Sequence, residues 1–212
     1  MSDLHTPGQN RLLAALPVAE YERLFPHLEQ VELSFGDVLY QPGGELRHAY
    51  FPTTAVVSVL YVTEDGVSAE IAVVGNEGIL GVALFTGGDT MPNVAMVQCP
   101  GHAYRLKSQL LKDEFYRSGA LQDLLLRYTQ VLITQASQNA VCNRHHSVEQ
   151  QLCRWLLLRL DNSPLNELTV TQEFIASALG VRREAVTVTA GKLRDAGLID
   201  CRRGCIAVLS RP

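Results

Sequence analysis

The sequence is poor in whatever would cross-link or anchor it. Its five cysteines, Cys99, Cys142, Cys153, Cys201 and Cys205, are scattered and contain no Cys-x-x-Cys pair. Neither a disulfide framework nor a zinc ribbon is expected, and the thiols read as reduced. Cys201 and Cys205 flank Arg202-Arg203-Gly204, a tight hairpin turn between short strands where a thiol serves as a small hydrophobe. No apolar run approaches the roughly 18 residues of a membrane span, and no basic stretch followed by an apolar core opens the chain. The expectation is a cytoplasmic protein with no membrane partner. Charged residues make up 19% and hydrophobic ones 47%, which excludes a disordered chain.

Catalytic constellations are missing too. A jelly-roll enzyme holds a metal between two or three histidines and a carboxylate, but His48 and His102 fall in different strands without a His-x-His pair. No Ser-His-Asp set or closely paired carboxylates surround a glycine turn, and Glu64-Asp65 reads as a solvated turn. A ligand-binding or metal-dependent jelly-roll enzyme is therefore the alternative reading. The first reading is a protein that is not an enzyme and carries no cofactor.

What is present divides the chain in two, as 212 residues allow. Residues 10–29 carry Leu12, Leu13, Leu16, Tyr21, Leu24, Phe25 and Leu28 at helical spacing broken by Pro17 and Pro26, which predicts short helices. From Val31 to about Arg105, short apolar runs alternate with Phe35-Gly36-Asp37, Pro42-Gly43-Gly44, Glu64-Asp65-Gly66, Gly75-Asn76-Glu77-Gly78 and Gly87-Gly88-Asp89. That punctuation predicts an antiparallel barrel or jelly roll. Beyond Leu106, Leu121, Leu124, Leu125, Tyr128, Val131 and Leu132 predict a long helix. Its apolar stripe could pack within the chain or meet a second copy, with Leu121, Leu124, Tyr128 and Val131 as the seam. A further helix is predicted over Val148–Leu160, closed by Asp161-Asn162-Ser163-Pro164. The expected domains are 1–116, 117–143 and 144–212.

The net charge of −4 hides an asymmetry. From Arg182 to Pro212 seven basic residues face three acidic ones, a local +4 that leaves −8 for the rest. An acidic body carrying a small basic reader fits this distribution. Thr171 can cap a helix over Gln172–Leu179, Gly180 breaks it, and a second helix runs from about Arg182 to Ala196 before Gly197. Helix, glycine turn, helix is the DNA-reading arrangement. Val186, Ala190 and Leu193 share one face, to pack on Ile175 and Leu179. Arg183, Glu184, Thr187 and Val188 turn toward the other, where Arg can grip guanine and Glu can accept from cytosine. Thr171, Arg182, Lys192, Arg194, Arg202 and Arg203 suit phosphates. Leu198–Cys201 and Cys205–Leu209 form a wing. A pure scaffold module would leave this basic element unexplained.

The run from Thr171 through Leu179-Gly180-Val181-Arg182-Arg183-Glu184-Ala185-Val186, followed by Leu193 and Ala196-Gly197-Leu198-Ile199, resembles the winged helix of the cyclic-AMP receptor protein and Fnr (Crp/Fnr) family. Upstream, Leu39-Tyr40-Gln41-Pro42-Gly43-Gly44-Glu45, Ala49-Tyr50-Phe51 and Gly78-Ile79-Leu80-Gly81 resemble that family's cyclic-nucleotide-binding-type β-roll. The resemblance implies an α+β fold: an N-terminal antiparallel β-roll, a long dimerisation helix and a C-terminal winged helix-turn-helix. It also implies a homodimer on double-stranded DNA, with RNA polymerase as partner. Arg183 and Glu184 match the family's base-reading pair, Val188 stands where several members have a third Arg, and Arg182 replaces a commoner Ser. The family's cyclic-AMP contacts, a Glu and an Arg-Ser pair, fall on Val82, Pro92 and Asn93. Cyclic AMP in the usual mode is therefore not expected. Gly75, Gly78, Gly81, Val82 and Asn93 mark where a small-molecule effector would sit. An iron-sulfur sensor would need cysteines near the N-terminus, and a haem sensor would draw on His48, His102, His145 or His146.

Overall fold

A computed structural model describes residues 6–161, 167–202 and 204–210. Two short helices lead, α1 (Arg11–Ala14) and α2 (Val18–Leu24), with Pro17 standing just before the second. Asn10 fixes the first. Fully buried, its side-chain oxygen accepts from Leu12 N and Leu13 N at 3.1 and 3.2 Å, and its amide donates to Pro52 O and Gly78 O at 2.9 and 2.8 Å. All the hydrogen-bonding groups of one polar side chain are thus used to seat a helix on distant loops.

The strands follow: β1 (Glu29–Leu33), β2 (Val38–Tyr40), β3 (His48–Pro52), β4 (Val56–Val62) and β5 (Ser68–Val74). After α3 (Ala83–Thr86) come β6 (Val94–Cys99) and β7 (Gly101–Lys107). They form sheets of order β1-β7-β3 and β2-β6-β4-β5. Strand β7 is the middle strand of its sheet, with Ala103 opposite both Val31 and Pro52, and its alternate residues Tyr104 and Leu106 are buried together on one face. Phe51, Val57, Ile79, Leu84, Val97 and Leu106 fill the core. Gly101 has no room for a side chain, since a Cβ would stand 2.7 Å from backbone atoms of Thr54 and Ala55.

Helix α4 (Ser108–Phe115) leads to α5 (Ala120–His145), 26 residues long. The N-terminus of α5 is held by Glu20, whose carboxylate accepts from Ala120 N and Leu121 N, each at 2.9 Å. Leu121, Leu125 and Tyr128 are buried. Of the seam residues expected from sequence, Leu121 and Tyr128 are thus used within their own unit, Leu124 is half-buried and Val131 is 56% exposed. Leu126, Ile133 and Val141 add a second exposed apolar set on the side of α5 away from its buried residues.

Helix α6 (Val148–Leu160) opens with a capping box between Ser147 and Gln150. The expected turn at Asn162-Ser163-Pro164 lies outside the described residues. Strand β8 (Glu167–Thr169), which sequence reasoning missed, pairs with β10 (Cys205–Val208) in a sheet of order β8-β10-β9, where β9 is Ile199–Arg202. Between β8 and β9 lie α7 (Gln172–Leu179) and α8 (Arg183–Asp195).

The chain divides into two compact units, one of residues 1–59 and 72–135, the other of residues 60–71 and 136–212. Leu152, Trp155, Leu156, Leu168, Ile175, Val186, Leu193 and Ile206 form the core of the second. Among the described residues no helix is long and apolar enough to cross a membrane.

Candidate nucleic-acid interface

The interface is built on α7 and α8. Thr171 is the cap expected of it: its hydroxyl accepts from Phe174 N at 3.1 Å, satisfying a first-turn amide. Gly180 ends α7 with φ +65°, a left-handed conformation that resists a side chain. Ile175 and Leu179 of α7 are buried, as are Val186, Ala190 and Leu193 of α8, so the predicted packing faces meet. Each fully buried Leu, Ile or Val of this kind contributes roughly 1.5–3 kcal/mol.

That packing turns the opposite arc of α8 outward. Arg183, Glu184, Thr187 and Val188 are all exposed, Val188 at 60%. Arg183 stands in only a loose pair with Glu173, Nε to Oε2 at 3.9 Å between two exposed side chains, so its guanidinium is available. Glu184 lies in the first turn, where the helix dipole favours a carboxylate. Thr187 is less free than sequence suggested: its hydroxyl reaches Gln172 Oε1 at 2.7 Å and Arg183 O at 3.1 Å. Gly191 lies on the same arc one turn further on, with nothing within 4 Å of where a Cβ would be. Sequence reading passed over Gly191. A glycine inside an exposed helix weakens it, and that cost was the available signal.

Two of the remaining cations have partners. Arg194 pairs with Asp195 and Arg202 with Asp200, each at 3.0 Å and on the surface, while Arg182 and Lys192 are exposed. Arg203 lies outside the described residues, as does Arg211. The wing turns between Arg202 and Cys205, which face each other in the β9–β10 register, and Gly204 at φ +76° supplies the left-handed turn residue. The Cys201 thiol is pushed up by burial, and that of Cys205 by burial and then by Glu167. Both therefore stay protonated and poorly nucleophilic near neutral pH.

The expected effector residues have a different setting. Gly75 N donates to Glu77 Oε1 at 2.9 Å. At Gly78 a Cβ would stand 2.0 Å from the Tyr128 hydroxyl oxygen, so the ring of Tyr128 occupies that space. Burial, followed by the Glu77 carboxylate, holds the Tyr128 phenol far above its ordinary value. Gly81, at φ +102°, is crowded by Tyr40, whose hydroxyl donates to His48 O at 2.7 Å. Val82 is half-buried and Asn93 buried, with Asn93 Oδ1 meeting no donor. His48 lies on β3, His102 on β7, and His145 and His146 at the end of α5. Among the described residues no three His, Cys, Asp or Glu side chains gather as a metal site.

Residues 150–212 match the Crp-like helix-turn-helix domain. No curated protein sequence matches the chain. Among solved structures it is similar to the c-di-GMP responsive global regulator CLP of Xanthomonas campestris, with TM-score 0.73 and 17% identity over 92% of this chain and 100% of that one. It is similar also to a Crp/Fnr-family transcriptional regulator from Eubacterium rectale, with TM-score 0.72 and 15% identity over 96% and 95%. A Crp/Fnr-family regulator from Thermus thermophilus aligns with TM-score 0.67 and 25% identity over 86% of this chain and 94% of that one. All three of these proteins are regulators, and the jelly-roll enzyme alternative is not favoured.

Proposed function

We propose that the chain is a DNA-binding transcription regulator of the Crp/Fnr type, acting as a homodimer on a near-palindromic site, a reading supported by the match of residues 150–212 to the Crp-like helix-turn-helix domain. Base edges are read by Arg183, Glu184, Thr187 and Val188. Thr171, Arg182, Lys192, Arg194, Arg202 and Arg203 hold phosphates. The observation that carries the proposal is the solvent-facing arc at the start of α8, whose other arc is locked into the core by Val186, Ala190 and Leu193. A helix presented in this way can enter a major groove about 12 Å wide.

The dimer forms along α5, on the seam that includes Leu124 and Val131. Two readers so joined meet successive grooves about one helical turn apart. Residues 1–116 act as the sensory part, 117–143 as the dimer helix and 144–212 as the reader, in the cytoplasm and with RNA polymerase as the family partner. Cyclic AMP is not the effector in the family's usual mode, because Val82, Pro92 and Asn93 supply neither the ribose carboxylate nor a cation for a buried phosphate. Any effector is a different small molecule.

Selection of bound sites from random duplex DNA tests the proposal. A two-fold symmetric site should emerge, and Glu184→Ala should relax one base position in each half-site by about 1–3 kcal/mol. Equal affinity of the wild type for selected and random duplexes would refute it.

A further inference from the structure

Residues 60–71, the outer part of the β4–β5 hairpin, belong to the same compact unit as the DNA reader. They are fastened there by contacts that base reading does not use. Glu70 and Arg159 form an ion pair whose side chains are 6% and 0% exposed. The Arg159 guanidinium carbon also lies 3.5 Å from the centre of the Trp155 ring, and its Nη1 donates to Trp155 O at 3.1 Å. Asn139 donates to Ile71 O at 3.0 Å and accepts from Arg154 Nη1 at 2.5 Å, while the Ser68 hydroxyl donates to Ser177 O at 3.2 Å. Desolvation offsets much of the attraction in a buried ion pair, so its better-attested use is to select one arrangement over others.

The arrangement selected sets the hairpin beside the reading end. Gly66, Val67 and Ser68 line one cavity of about 550 Å³ together with Arg182, Arg183 and Glu184. The turn just before them carries Glu64 and Asp65, both exposed. A recognition helix must sink into a groove walled by phosphates. A hairpin on that flank would compete with one such wall, and two carboxylates at its tip would repel the phosphates.

We propose that residues 60–71 form an autoinhibitory latch on the reader, closed by the Glu70–Arg159 pair and released when DNA binds. The proposal rests on α8 being the DNA-reading helix. A closed state populated about nine parts in ten lowers apparent DNA affinity about tenfold.

A cross-link tests it. A Cβ at Gly180 would stand 3.7 Å from the Ala69 Cβ, within disulfide range. The double variant Ala69→Cys/Gly180→Cys, oxidised without DNA, should form that disulfide, found by peptide mass. The locked protein should lose at least about tenfold in affinity for the selected duplex and regain it on reduction. Gly180→Cys alone reports the strain of a side chain in the left-handed turn. In the opposite direction, Glu70→Leu/Arg159→Met removes both charges and should tighten binding about tenfold with the fold retained. Failure of the disulfide to form, equal binding by locked and reduced protein, or no tightening in the uncharged pair would overturn the latch. If the reduced protein bound no duplex at all, DNA reading by α8 would fail instead, so the two failures are told apart.

Discussion

The side chains of Arg183, Glu184 and Val188 are exposed to solvent, whereas in front of Gly78 lies the ring of Tyr128. Both places were marked by residue type and spacing, and both keep their local backbone geometry. The reading end presents side chains that the core leaves unused, because Val186, Ala190 and Leu193 supply all the packing α8 needs. At the other place the glycine leaves room that a neighbouring helix fills with an aromatic side chain. A small residue in a signature therefore marks available space without saying what fills it.

The largest effect should come from emptying that space. Tyr128 is 5% exposed, and Tyr128→Ala should cost about 3–5 kcal/mol in denaturant unfolding. Gly78→Ala forces a methyl against the phenol and should cost about 1–3 kcal/mol in the wild type, but far less in the Tyr128→Ala background. If Gly78→Ala were neutral in the wild type, the ring would not be filling the glycine's space and the contrast would collapse. The reading end should behave in the opposite way. Arg183→Ala and Glu184→Ala should leave stability within about 0.5 kcal/mol while each weakens discrimination at one base position by about 1–3 kcal/mol.

Much of this contrast was legible in the sequence, for identifiable reasons. The bounds of α7 and α8 follow from caps and glycines that act within one helical turn: Thr171, Gly180 and Gly197. The strand texture of residues 31–105 is equally local, since each turn is written by the residues that make it. Strand β8 was missed because three residues hold no period, and its place is fixed by β10, nearly 40 positions away. The role of Asn10, the clamp of Glu20 on α5 and the Glu70–Arg159 pair share that character. Each joins residues more than 40 positions apart, and no spacing rule spans such a gap. Tyr128 was placed on the correct helix, but the stripe Leu121-Leu124-Tyr128-Val131 could not say which of its members the roll would take.

A smaller effect sharpens the comparison from the roll side. The Glu20 carboxyl is held below its ordinary value, first by the Ala120 amide, against the opposing effect of burial, with help from the Leu121 amide and Arg23. A carboxylate whose folded value is depressed stabilises the fold above its unfolded value and loses that contribution as pH falls through the folded one. Glu20→Gln should cost on the order of 1 kcal/mol at neutral pH, discounted for its partial exposure, and little in acid. Stability curves for the two proteins against pH should therefore converge on the acid side. Parallel curves would mean that the carboxylate's charge does not hold α5.

The smallest effect probes the reading face directly. Gly191 is a helix-interior glycine with open space where a Cβ would stand, so Gly191→Ala should stabilise the protein by about 0.5–1 kcal/mol. On any face without a function that gain would be free of consequence. If α8 lies in the groove with its Arg183–Thr187 arc inward, the added methyl lies toward the duplex one turn further along the helix. DNA affinity should then fall severalfold on selected and random sites alike, because the methyl meets backbone rather than a particular base. Higher thermal stability with unchanged affinity would rotate the helix away from that arc and shift the contacts toward its Val188–Lys192 side.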